Sequence, residues 1–79
     1  MNSKDVVKEI MKYAGYSQEE LAKKAGYASQ SNITGILNRS SSMRVDNLVA
    51  MVEAMGFEVI VRNKQKTNKQ EYYITDKKE

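Results

Sequence analysis

The stretch SQEELAKKAGYASQSNITGILN, Ser17 to Asn38, writes two short helices and the turn between them. Ser17 followed three residues later by Glu20 has the form of a capping box, in which each side chain satisfies the other's backbone amide. Tyr16, just before it, is set to staple against Leu21. The helix that starts here runs to Ala25, with Leu21, Ala22 and Ala25 on its inward face and Gly26 as the left-handed stop. All but one of those inward residues are small, so a neighbouring helix can approach closely. Ser29 is the next N-cap, and Ile33, Ile36 and Leu37 form one apolar face of a short third helix. Only Gly26 to Ala28 lie between the two.

Upstream, Ser3 is the expected cap of a first helix, with Asp5 in its first turn, Val6, Val7, Ile10, Met11 and Ala14 on its apolar side, and Gly15 at its end. Downstream, Ser40, Ser41 and Ser42 interrupt the pattern before Val45, Leu48, Val49, Val52 and Met55 trace a fourth amphipathic helix closed by Gly56. Met43 falls on no predicted face, whereas Met11, Met51 and Met55 fit apolar helix faces. From Phe57 the period changes: Phe57, Val59 and Val61 alternate with Glu58, Ile60 and Arg62, and Glu71 to Thr75 repeats the tendency. The connection from Asn63 to Gln70 is long, polar and without glycine, so a single strand and a hairpin both remain open.

Seventy-nine residues suffice for one small core. The absence of cysteine and histidine excludes disulfides, thiolate metal sites and imidazole general bases. Glu19, Glu20 and Glu53 read as caps or solvated helix positions, and the glycines form no phosphate cradle. An enzyme is therefore not expected, no cofactor is implied, and no apolar run is long enough for a membrane, which places the chain in the cytoplasm. The net charge of +3 is modest. Its distribution is more telling, since no Asp or Glu lies between Leu21 and Val45 while Lys23, Lys24, Arg39 and Arg44 do.

Two helices joined by a tight glycine-containing turn describe a helix-turn-helix, whose second helix enters the major groove of duplex DNA. With Ile33, Ile36 and Leu37 buried, Ser31, Thr34, Gly35 and Asn38 fall on the opposite face, and Gln30 and Asn32 are exposed at the helix start. Gln and Asn can pair bidentately with adenine, Ser and Thr can bond several base edges, and a glycine permits close approach. Gln30, Ser31, Asn32, Thr34 and Gly35 are thus the expected base readers. Ser17, Gln18, Asn38, Arg39, Ser41 and Arg44, flanking them, are the expected phosphate contacts.

SQEELAKKAG from Ser17, SQSNITGILN from Ser29 and VDNLVAMVEAMG from Val45, in this order and spacing, resemble the Cro and phage-repressor type of helix-turn-helix, often called the Xre family. The resemblance covers Val6 to Gly56. It implies that Gln18 opens the first motif helix and touches a phosphate, that Ala22 packs in the helix crossing and that Gly26 forms the turn. Arg44 stands where many relatives carry Ser or Pro; as a poor cap, it is assigned to a phosphate instead. The fold expected is mainly α, a four-helix lambda-repressor-like domain over residues 1–56, with a C-terminal β-strand or β-hairpin over residues 57–79.

The implied function is sequence-specific double-stranded DNA binding by a homodimeric repressor-like regulator. The alternative is an antitoxin-like or adaptor protein that uses the same fold to hold a protein partner. Phe57, Val59 and Val61 are expected to cover the helical core, leaving Glu58, Ile60 and Arg62, with Tyr72 or Tyr73, for the dimer contact. The basic cluster Arg62, Lys64, Lys66 and Lys69 is compatible both with a phosphate-binding arm and with a loop kept soluble by lysine.

Overall fold

The computed structural model describes residues 1–39, 41–65, 67 and 69–75. Ser40, Lys66 and residues 76–79, parts of the expected serine break, basic cluster and C-terminal extension, lie outside the described residues. The order is α1 (Ser3–Ala14), α2 (Gln18–Ala25), α3 (Gln30–Asn38), α4 (Val45–Ala54), β1 (Val59–Arg62) and β2 (Glu71–Ile74).

Local chemistry sets most of these bounds. Asn2, not Ser3, caps α1: its backbone is extended and its Oδ1 accepts the Asp5 N–H at 2.9 Å, which leaves Ser3 as the first helical residue. Ahead of α2 the capping box is complete, with Glu20 N–H donating to Ser17 Oγ at 3.1 Å and Ser17 N–H donating to Glu20 Oε1 at 3.0 Å. Gly26, at φ 83°, ends α2 in the left-handed region, and the Tyr27 N–H then donates to the Ala22 carbonyl at 2.9 Å. Arg44 precedes α4 without a side-chain cap bond, as its residue type dictates.

The core joins Val7 and Met11 of α1, Leu21 and Ala22 of α2, Ile33, Ile36 and Leu37 of α3, and Met51, Val52 and Met55 of α4. Met43, which fits no helical face, is buried in this cluster from the segment between α3 and α4. Val45 behaves in the opposite way to its expected inward role and is 56% exposed. It is the first residue of α4, ahead of Leu48, the first side chain of that helix to pack against the cluster, while Met43 enters the core two residues earlier. Ala14, in the last turn of α1, is likewise exposed. Tyr27, in the turn after α2, donates through Oη to Asn47 Oδ1 of α4 at 2.8 Å and so fastens the turn to the far side of the core.

The C-terminal runs form a two-stranded antiparallel hairpin in which Val59 faces Ile74, Ile60 faces Tyr73, Val61 faces Tyr72 and Arg62 faces Glu71. Strand alternation puts Val59, Val61, Tyr72 and Ile74 on one face and Ile60, Arg62, Glu71 and Tyr73 on the other. Val59 packs on the core, whereas Val61, expected to do the same, is 52% exposed. The hairpin meets the helices only near its Val59–Ile74 end, where both side chains are half-buried, so the next pair on that face extends past them. Phe57 does not enter the core either; it lies edge-on to Tyr13 of α1, with ring centroids 6.0 Å apart.

The capping box makes acid a specific stress. The Ser17 backbone N–H, then the Ser17 side chain and more weakly Lys23, hold the Glu20 carboxyl below its ordinary value of 4.5. A carboxylate with a lowered folded value contributes stability above the unfolded value and loses it as pH falls through the folded one. Glu20→Gln keeps an accepting oxygen but has no proton to gain. Its melting temperature should therefore fall less steeply than that of the wild type below pH 4.5. Parallel curves would show that Glu20 contributes nothing to acid sensitivity.

Candidate nucleic-acid interface

A nine-residue helix is too short to persist in water by propensity alone, so α3 exists because Ile33, Ile36 and Leu37 are buried on one side of it. Ala22, 2% exposed, lets α2 cross close to it. Burial of that stripe turns the other side of α3 to solvent. Gln30, Ser31, Asn32, Gly35 and Asn38 are exposed, and a Cβ added at Gly35 would meet nothing within 4 Å. The outward surface is uncharged and dense in donors and acceptors.

These polar groups differ in how free they are. Among the described residues the Gln30 side chain has no intramolecular partner, although its backbone carbonyl lies 3.2 Å from Thr34 Oγ1 as an alternative acceptor for that hydroxyl. Ser31 Oγ lies 2.7 Å from Ser29 Oγ. Asn32 occupies the third position of α3 and its Oδ1 accepts the Ser29 N–H, so it completes a second capping box. Thr34 is half-buried, and its hydroxyl bonds to Gln18 Oε1 across the α2–α3 crossing. Thr34 thus joins the helices as well as bordering the outward face. The sequence contains Gln18 and Thr34 but no sign of their pairing, which depends on the crossing angle.

The flanking residues cluster at helix ends. Ser17 and Gln18 open α2, where unpaired backbone N–H groups give a positive pole, although the Ser17 hydroxyl already accepts from Glu20. Asn38 and Arg39 end α3, and both are exposed. The Arg39 carbonyl accepts from the Lys4 ammonium of α1, a contact the sequence did not announce and one that sets a cation at the negative pole of α3. Ser41 is exposed and shares a polar cleft with Asn2, Ser3, Lys4 and Ser42. Arg44 lies 3.5 Å from Asp46, with both side chains largely in solvent, an ion pair weak enough for a phosphate to displace.

A separate exposed group lies on the hairpin. Ile60 and Tyr73, 40% and 54% exposed, are cross-strand partners, beside the Arg62–Glu71 ion pair at 3.8 Å. Tyr72 is exposed on the opposite face with Val61. Of the expected contact residues, the register therefore brings Tyr73 rather than Tyr72 alongside Ile60. Glu58 precedes β1 and is exposed.

Among the described residues no group of three or more acidic, Cys or His side chains is arranged to hold a metal ion. No described helix is long and apolar enough to cross a membrane. Two helices packed through a small residue, a left-handed glycine turn and a polar outward face define a helix-turn-helix domain. A family model described as helix-turn-helix matches residues 7–60, more than half of the chain, and the protein belongs to that family, as a DNA-binding regulator of the Cro and phage-repressor type. Comparison with curated proteins and with solved structures gives no match.

The Gln18–Thr34 bond makes these two positions energetically dependent. In a double-mutant cycle on thermal or urea unfolding, Gln18→Ala and Thr34→Val should show a coupling on the order of 0.5–1.5 kcal/mol. Strict additivity would mean that the bond does not contribute in solution.

Proposed function

We propose that this protein is a sequence-specific double-stranded DNA-binding regulator acting as a homodimeric repressor in the cytoplasm. One observation carries the reading: the outward face of α3 is uncharged and hydrogen-bonding while its opposite face is wholly buried. A solvated helix face on a soluble protein ordinarily carries charge. A face of Gln, Ser, Asn, Thr and Gly instead matches the donors and acceptors of base edges.

In this reading Gln30, Ser31, Asn32, Thr34 and Gly35 meet the bases. Thr34 acts through its methyl group when its hydroxyl stays on Gln18, and Gly35 offers a place for close approach. Ser17, Gln18, Asn38, Arg39, Ser41 and Arg44 hold the phosphates on either side and fix the helix in register. The stretch without acidic residues between Leu21 and Val45 supports this division, because no carboxylate there repels the DNA. The activity is binding rather than catalysis.

One copy of a nine-residue helix spans few base pairs, and the usual remedy is a two-fold dimer with recognition helices about 34 Å apart. Residues 57–79 are the dimerisation element of this proposal, beside a DNA-binding unit of residues 1–56. Ile60 and Tyr73, with Glu58 and Arg62 around them, form the contact, and Tyr72 lies at its margin. The exposure of an apolar cross-strand pair on an unpaired two-stranded sheet supports this choice.

Selection from a random duplex pool should yield two related half-sites. Gln30→Ala should weaken binding to the selected site by about 1–3 kcal/mol and relax one base step, with little effect on random DNA. Arg39→Ala and Arg44→Ala should weaken both and each reduce the salt slope by roughly one unit. A chain that binds no duplex at low salt yet holds a protein partner would replace this reading with that of an adaptor. Sedimentation of Ile60→Lys should show a folded monomer with much weaker operator binding; a variant that stays fully dimeric would move the interface elsewhere.

A further inference from the structure

Asn32 carries a constraint that Gln30 lacks. Its Oδ1 accepts the Ser29 backbone N–H at 3.1 Å and lies 3.3 Å from Ser29 Oγ, a second potential donor. Since a backbone N–H can be met only by an acceptor, the bond itself determines which end of the amide faces Ser29. An amide oxygen accepts about two hydrogen bonds; the Ser29 N–H holds one direction, and the Ser29 hydroxyl stands at the other when it takes its own bond from Ser31 Oγ, 2.7 Å away. The Nδ2 group keeps two N–H donors and, among the described residues, has no partner. To pair bidentately with adenine, Asn32 would have to release Ser29 and undo the start of a nine-residue helix whose first turn has no acidic residue to assist it.

We propose that Asn32 reads DNA as a hydrogen-bond donor only, selecting guanine or thymine and discriminating against adenine and cytosine. In the major groove guanine presents O6 and N7 and thymine presents O4, all acceptors. Cytosine presents the N4 amine, and adenine sets its N6 amine beside N7. A side chain with two donors and an occupied oxygen complements the first pair of bases. Gln30, two residues earlier in the same turn, keeps both its oxygen and its amine unpaired among the described residues, so the adenine-compatible amide of α3 is Gln30. The inference deepens the proposed base-reading role of α3 and rests on it.

The test is duplex selection with the full-length wild type and with Asn32→Asp, Asn32→Ala and Gln30→Ala, circular dichroism reporting whether the helices are retained. Asn32→Asp keeps an oxygen for the Ser29 N–H and exchanges the outward donors for an acceptor. At one base step of each half-site the preference should move from guanine or thymine to cytosine, by roughly tenfold. Asn32→Ala should erase the preference at that same step, and Gln30→Ala should act at a different one. Should the variants lose helix content, the wild type still decides: replacing each guanine of the selected site by 7-deazaguanine, or each thymine by a base lacking O4, should expose one sensitive position. An adenine at the Asn32-dependent step, an unchanged preference in Asn32→Asp, or no position responding to Asn32 would overturn the donor-only assignment while leaving base reading by α3 intact. Wild-type protein that binds duplex without enriching any motif would overturn base reading itself.

Discussion

The burial of Ile33, Ile36 and Leu37 is the interaction on which the molecule depends. α3 has a glycine at its centre and polar residues at both ends, a composition that would not hold a helix in water. It becomes a helix because α2 and the rest of the core accept its apolar stripe. The orientation of that stripe dictates which side chains are left outside. Folding energy and the presentation of the outward face are therefore two aspects of the same packing event. A destabilised core would reduce DNA binding without any loss of a DNA contact.

Features governed by neighbours in sequence were legible before the structure. The Ser17–Glu20 capping box, the left-handed Gly26, the buried stripe of α3 and the two β-type runs after Phe57 all follow from short-range patterns, and the structure has them, pairing the runs as a hairpin where the sequence left a single strand equally open. What could not be read depends on distant elements. Met43 is buried because the α3–α4 connection carries it into the common core, whereas Val45, at the very start of α4, is left exposed. The hairpin register, which separates Tyr72 from Ile60, follows from which residues pair across a long connection without glycine. Within the site, the polar character of α3 was plain, but the Gln18–Thr34 and Lys4–Arg39 bonds needed the helix crossings to be known.

Charge is used sparingly around this site. The described ion pairs, Lys23–Glu19, Arg44–Asp46 and Arg62–Glu71, are long and solvent-exposed. Such pairs add little to stability and exchange readily with ions. What the first two do provide is a pair of cations held loosely near helix ends, Lys23 in the last turn of α2 and Arg44 just ahead of α4. An arrangement of this kind gives up little when a polyanion takes the place of a carboxylate.

The two capping boxes share a residue spacing but differ in what they permit over evolutionary time. In the box before α2, Glu20 has no other task, so drift there is limited only by helix stability. In the box before α3, the residue that closes the helix start also stands on its outward face. Replacements at Asn32 must keep an acceptor for Ser29, while Gln30 and Ser31 are bound by no comparable requirement. Under the base-reading role proposed for α3, a lineage descending from this protein would change its target sequence most easily through those two positions. Each step at Asn32 would have to pass through the narrow set of side chains that can still start the helix.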